Sequence, residues 1–174
     1  IPDSSFLSNL PFKDYVVVRP EALKAAYVGK NVKTLIPNLI SSLVECGENI
    51  LYLSRYEEDK RYVKNFDNIF IPPHPLNGLD ICFHSKCVLT GSGTLAREAA
   101  CLGIPAVSFF PEKLLAVDAN MVEEKRIFHS RSCDEIVHYV SNCKSSDVDL
   151  SRSQQVQKRV VKILKNILHA GNDN

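Results

Sequence analysis

Residues 88–113 read VLTGSGTLAREAACLGIPAVSFFPEK. An apolar run ends in Gly91-Ser92-Gly93-Thr94, a small-residue segment follows, and a second apolar run ends at a proline. Gly91 and Gly93 lack a Cβ, so they permit a sharp turn and close approach of backbone to a ligand. Ser92 and Thr94 place hydroxyls at what reads as the start of a helix. Unpaired N–H groups and the positive end of the helix dipole attract anions there. A phosphate or diphosphate is the anion this combination suits. Glu98 follows Thr94 by four residues and shares its helical face one turn on. Its carboxylate can accept hydrogen bonds from ribose hydroxyls while the helix start holds the phosphates. Leu102, four positions further, is not basic, so a routine helical ion pair does not account for Glu98. A plain strand-to-helix turn with a solvated glutamate explains the same residues, and the turn by itself leaves both readings open.

Two phosphate-binding motifs can be compared with it. No G-K-[ST] closes the glycine stretch, which excludes a Walker loop. GSGTLA does fit G-x-G-x-x-A after a strand, and Glu112 follows the next strand about where a ribose ligand of NAD would stand. That fingerprint ordinarily opens its fold on the first strand, whereas here three strand–helix units precede it. Further candidates lie outside the turn. Arg19 and Arg55 each follow an expected strand and can pair with phosphate or sugar oxygens. His74, in PPHP, sits on a rigid loop after the third strand. Lys113 is expected at a helix start, where an anionic partner would explain a lysine beside the positive dipole end, with Asp118 in the second turn.

These residues need a scaffold, and the flanking pattern supplies one. Residues 15–19, 49–55, 68–73, 86–91, 104–110 and 126–130 are short β-rich runs. Between them lie helical segments. Val32, Leu35, Ile36, Leu39, Ile40 and Leu43 recur at amphipathic spacing up to Gly47. A short charged helix over 57–66, a helix over 75–85 with Pro75 in its first turn, and helices over 92–103 and 112–125 follow. A helix over 133–143 is capped by Ser132, and one over 151–169 sets Val156, Val160, Ile163, Leu164 and Ile167 on one face. Strands that are apolar nearly throughout and alternate with helices indicate a parallel sheet covered on both sides. The expectation is a single α/β, Rossmann-like three-layer domain over 1–174. It has a mostly parallel sheet of about six strands, a C-terminal helix, and a lead-in over 1–14.

Composition narrows the function classes. The chain has 174 residues, 45% hydrophobic and 24% charged, with a formal net charge of +1. That balance gives no whole-chain attraction to nucleic acid or acidic membranes. No apolar stretch approaches the ~20 residues of a membrane span, and no secretory leader opens the chain. The lysines and arginine at 158, 159, 162 and 165 carry no interleaved aromatics and read as a solvated helix face. Six cysteines show no C-x-x-C spacing, which points to reduced thiols in a cytoplasmic protein and to no metal site. The chain begins with Ile1, so it reads as a fragment or a processed product.

PLNGLDICFHSKCVLTGSGTLAREAACLGIPAVSF, residues 75–109, resembles the C-terminal half of UDP-N-acetylglucosamine 2-epimerases and related GT-B glycosyltransferases. The longer stretch through FFPEKLLAVD is similar to an uncharacterised archaeal and bacterial family of that superfamily. The resemblance runs from about residue 15 to 140 and covers one half of a full-length relative. It implies that Ser92, Gly93 and Thr94 hold a nucleotide diphosphate and that Glu98 binds the ribose. Arg19 keeps an anion-binding role. The implied partners are a nucleotide-activated sugar, a UDP-sugar, and a missing N-terminal Rossmann-like half; no cofactor is implied. Two departures stand out. Thr94 occupies the place of a second glycine, and Val18-Arg19-Pro20-Glu21 replaces a His-Arg-x-Glu pattern. The parent protein would be a glycosyltransferase or a sugar epimerase, this chain alone being inactive and its catalytic residues unassigned. A non-catalytic regulatory or scaffolding module and an NAD-binding domain stay open as alternatives. The apolar stripe of the last helix must be buried somewhere, and self-association is one way to bury it.

Overall fold

A computed structural model of the chain describes residues 3–146 and 151–170. Its elements alternate, as the apolar runs predict. They are β1 (Val16–Arg19), α1 (Ile36–Glu45), β2 (Ile50–Tyr52), β3 (Ile69–Phe70), α2 (Gly78–Phe83), β4 (Cys87–Thr90) and α3 (Gly93–Cys101). After these come β5 (Ala106–Ser108), α4 (Ala116–Glu123), β6 (Phe128–His129), α5 (Cys133–Asn142) and α6 (Ser151–Ala170). The six strands form one sheet in the order β3-β2-β1-β4-β5-β6, and every neighbouring pair is parallel. The order reverses between β1 and β4, so the loops after these two strands diverge and leave a crevice at the carboxyl edge.

Strand periodicity divides the core in two. Val16, Val18, Ile50, Tyr52, Leu89 and Val107 face Ile36, Leu39, Ile40 and Leu43 of α1 and Ile136 and Val140 of α5. Val17, Leu51, Val88 and Ala106 face Ile81 of α2, Leu95, Ala96 and Ala99 of α3 and Met121 of α4. Burying each large aliphatic side chain contributes roughly 1.5–3 kcal/mol, and both layers carry several at zero exposure. The result is the expected three-layer, Rossmann-like arrangement. The lead-in is part of it: Phe6, Leu7, Leu10 and Phe12 pack against the second layer around a 3-10 turn at Ser5–Asn9.

Helical segments differ from expectation in several places. Asn77 caps α2 by accepting the Leu79 amide at 2.9 Å, so the helix begins at Gly78 and Pro75 lies in the loop before it. The 57–66 segment forms a 3-10 turn, Glu57–Tyr62, because the Asp59 carboxylate draws in the Arg55 and Tyr56 amides, each at 3.0 Å. Helix α4 begins only at Ala116, leaving Lys113 in the preceding loop. Ser132 does cap α5, its hydroxyl accepting the Glu135 amide at 3.4 Å. In α6 the stripe of Val156, Val160, Ile163, Leu164 and Ile167 is 48–62% exposed.

Candidate functional site

A cleft of about 600 Å³ opens at the carboxyl edge where the strand order reverses. Four strand ends feed it. β1 contributes Arg19, the loop after β2 contributes Ser54 and Arg55, and the loop after β3 contributes Pro72, Pro73, His74 and Leu76. The turn after β4 and the helix it opens contribute Ser92, Thr94, Leu95 and Glu98, and α2 closes the wall with Gly78 and Ile81. Arg19, Arg55, His74, Ser92, Thr94 and Glu98, all expected from sequence as site residues, thus meet in one cavity. Pro72, Pro73, Leu76 and Ile81 form an apolar wall that sequence reading did not single out. Its only signal was the proline run in NIFIPPHPL.

At the start of α3, Ser92 is the N-cap in extended conformation, and its hydroxyl makes no capping bond. The Ser92 amide donates to the Thr90 hydroxyl at 3.1 Å, which fixes the turn from within. The first amides of the helix are therefore not satisfied by the cap side chain, and they carry the partial positive charge of the dipole. Among the described residues the Glu98 carboxylate makes no hydrogen bond or ion pair. It lies against the start of α2, 3.2 Å from where a Cβ on Gly78 would stand. Burial, and secondarily the Glu98 charge, pushes the nearby Cys82 thiol up to about 12.

The two glycines of the turn answer to packing. A Cβ on Gly91 would come within 2.5–2.8 Å of Glu21, backbone included. One on Gly93 would meet Asp118 Oδ2 at 2.8 Å and Arg97 Nη1 at 3.0 Å. Neither glycine has a positive φ. Both let the turn close against the protein behind it, rather than open toward the cleft.

Lys113 and Asp118 do not line the cavity. Lys113 is exposed three residues before α4, so no helix dipole demands an anion there. Asp118, in the first turn of α4, is buried and paired to Arg97 at 2.9 Å. Glu112, the residue placed like an NAD ribose ligand, accepts the Gly29 amide at 2.8 Å. Glu21 is a residue that spacing could not reveal. Its buried carboxylate accepts Thr34 Oγ1 and the Leu35 amide, each at 2.9 Å, and Arg131 at 3.2 Å. Arg131 also donates to the Phe109 and Lys33 carbonyls, so this pair ties together the loops behind the cleft.

Arg19 and Arg55 are the two arginines that line the cleft. Arg19 Nε is buried with no hydrogen-bond partner. Arg55 Nε donates to the Pro20 carbonyl at 2.8 Å, which holds its guanidinium over the end of β1. Burial, then the Arg19 charge, lowers Arg55 below the ordinary arginine value.

Solved structures that superpose on this arrangement include an epimerase and a glycosyltransferase. UDP-GlcNAc 2-epimerase from Methanocaldococcus jannaschii superposes with a TM-score of 0.67 at 18% identity, covering 92% of this chain and 48% of that one. The same enzyme in complex with UDP-GlcNAc and UDP gives 0.62 at 15% identity over 93% and 48%. A glycotransferase of kitacinnamycin gives 0.53 at 10% identity, over 76% and 35%. These likenesses show a shared epimerase- and glycosyltransferase-like fold, as the sequence resemblance implies. An uncharacterized protein of Methanocaldococcus jannaschii is 33% identical over 146 residues, which are 80% of this chain and 41% of that protein. This chain thus spans less than half the length of these relatives. Residues 7–169 match the family described as protein of unknown function DUF354, and the chain belongs to that family.

Proposed function

We propose that the cleft binds a nucleotide-activated sugar, a UDP-sugar, and that it is the donor-binding half of a glycosyltransferase- or epimerase-like protein. One observation carries the reading. The uncapped start of α3, with the Ser92 and Thr94 hydroxyls, shares a cavity with a Glu98 carboxylate that has no protein hydrogen-bond partner. Helix amides and hydroxyls suit the diphosphate. The free carboxylate one turn on suits the two ribose hydroxyls, and a hydrogen bond to a charged group contributes about 1.5–3 kcal/mol. The wall of Pro72, Pro73, Leu76 and Ile81 offers apolar surface to the base. An epimerase of the same fold has been solved with UDP-GlcNAc and UDP, which supports the choice of ligand class.

Titration with UDP should shift the amides of residues 91–95 first. Glu98→Ala should weaken UDP by about tenfold, a loss of ~1.4 kcal/mol, and leave 2′,3′-dideoxy-UDP unchanged. Perturbation confined to residues outside the cleft, or no response at millimolar UDP, defeats the reading. A thermal-shift panel of UDP, UDP-sugars and NAD adds the comparison with a dinucleotide site. Stabilisation by NAD beyond that by UDP would favour the dinucleotide.

A further inference from the structure

We infer that Cys143 and Cys87 form a reversible dithiol oxidation site, at which a peroxide oxidises Cys143 and Cys87 then closes a disulfide with it. The site lies apart from the cleft and does not depend on the nucleotide-sugar reading. Cys87 opens β4 in register with Val16, the first residue of β1, so it stands at the amino ends of the strands. The cleft is lined from their carboxyl ends. Alternation along β4 turns Cys87 and Leu89 toward the layer of α1 and α5, where Cys87 has zero exposure. Helix α5 brings the second sulfur. Its buried residues are Ile136 and Val140, and Cys143, which caps its end, falls seven and three positions beyond them on the same face. Cys143 packs against the cluster that holds Cys87, with its Sγ donating back to the Val140 carbonyl at 3.4 Å. The Cys87 thiol in turn donates to the Cys143 sulfur.

The other cysteines are placed differently. Cys82 lies in the opposite layer, and Cys46 and Cys101 are exposed. Cys133 is ten residues before Cys143 on α5, about 15 Å away along the axis. Within the pair, access and charge divide the two roles that a stepwise oxidation needs. Cys143 is half-buried, so a small oxidant reaches its sulfur, while Cys87 is closed to solvent. The hydrogen bond from Cys87, opposed by burial and aided by the Lys86 charge, favours the Cys143 thiolate, whereas burial keeps Cys87 a thiol. The thiolate is the reacting form. It attacks one oxygen of the peroxide, the O–O bond breaks, and the products are a Cys143 sulfenic acid and, with one proton, water. The Cys87 sulfur then attacks the sulfenic sulfur and the S–O bond breaks. The Cys87 proton, already directed at Cys143, leaves with the hydroxyl as a second water. Two thiols have then given two electrons to the peroxide, and two equivalents of an external thiol reverse the change. The disulfide ties the end of α5 to the start of β4 and closes a long loop, which restricts the unfolded chain far more than the folded one.

The test treats the reduced full chain, freed of reductant, with one equivalent of hydrogen peroxide. Intact mass should fall by two hydrogens, and a non-reducing peptide map should show Cys87 joined to Cys143 within one molecule. Dithiothreitol should restore both thiols. The cross-linked form should melt higher than the reduced one by at least about 6 °C. Cys87→Ser should halt the reaction at the sulfenic acid, trapped by dimedone on Cys143, and Cys143→Ser should take up neither dimedone nor a cross-link at Cys87. Cys143 carried to the sulfinic acid or bridged between molecules, with Cys87 still open to alkylation after unfolding, overturns the inference. So does a cross-linked form that melts no higher than the reduced protein, because the two sulfurs would then not be placed for the bond. Should Cys87→Ser lose its circular-dichroism spectrum, the wild-type map and melting decide.

Discussion

A methyl group at position 91 would stand 2.5 Å from Glu21 Cγ and 2.6 Å from its Cα. Glu21 cannot retreat, because Thr34, Leu35 and Arg131 hold its carboxylate. Gly91→Ala should therefore cost about 3 kcal/mol, the upper range for overpacking, and lower Tm by roughly 6–12 °C. At position 93 the nearest atoms are the ends of the Asp118 and Arg97 side chains, which can shift. Gly93→Ala should cost less, about 1 kcal/mol, and urea denaturation of the two variants checks the order. A reversed order would mean that Glu21 is not the fixed neighbour. The cysteines make a separate case. All six are unbridged. The buried Cys87 thiol donates to the Cys143 sulfur, and with the Lys86 charge it lowers Cys143 to about 7 against burial and Glu48. Burial pushes Cys87 itself upward. Cys143 should then be half thiolate near pH 7, and its alkylation rate should rise with a midpoint there. Cys82 and Cys87 should stay unmodified until the protein unfolds. Peptide mapping after brief iodoacetamide treatment across pH 5–10 reads this, and a Cys143 midpoint near 9 would show that the Cys87 contact is absent.

Among the secondary-structure elements, existence and order were legible in the sequence, while several starting points were not. Six apolar runs gave six strands, because strands buried on both faces cannot hide their composition. Helix starts depend on single hydrogen bonds. Asn77 outcompetes Pro75 as the start of α2, and the Asp59 carboxylate tightens a charged segment into a 3-10 turn. The cleft's lining was legible where a residue ends a strand or lies in the loop after it, as Arg19, Arg55, His74 and Ser92 do. It failed where the decisive partner is remote in sequence. Asp118 lies 21 positions from Arg97, and Arg131 lies 110 from Glu21, so no local pattern announces either pair. The late start of α4 has a measurable consequence. Asp118 serves to anchor α4 on α3 and stands outside the cleft. Asp118→Asn should thus lower stability by about 2 kcal/mol, since Arg97 loses its charged partner. The same variant should leave UDP affinity within about twofold, well under the tenfold step worth ~1.4 kcal/mol. A large loss of UDP affinity at unchanged stability would return Asp118 to the binding site.

For the whole molecule, the decisive feature is that the cleft is bounded from one side. Strand ends and two helix starts line it, and Glu98 is the single carboxylate among its lining residues. His74, the one histidine there, is exposed on its loop. Sugar transfer or epimerisation requires groups placed on both sides of the reacting carbon, with water kept from it. A proton acceptor and a proton donor within hydrogen-bond reach of the same centre are needed as well. On the proposed reading the arrangement holds a diphosphate and a ribose, which is binding energy, and the sugar projects beyond them. The chain spans 48% of the epimerase whose fold it shares. We therefore predict that the 174-residue chain binds UDP-GlcNAc but does not turn it over. Incubation with UDP-GlcNAc, followed by chromatographic analysis for UDP and by NMR for an inverted C2 proton, should match a protein-free control over hours. Glu98→Ala should weaken binding in the same preparation without altering that null rate. Turnover by the unmodified chain, abolished by Glu98→Ala, would show that a cleft walled on one side can position and protonate the sugar.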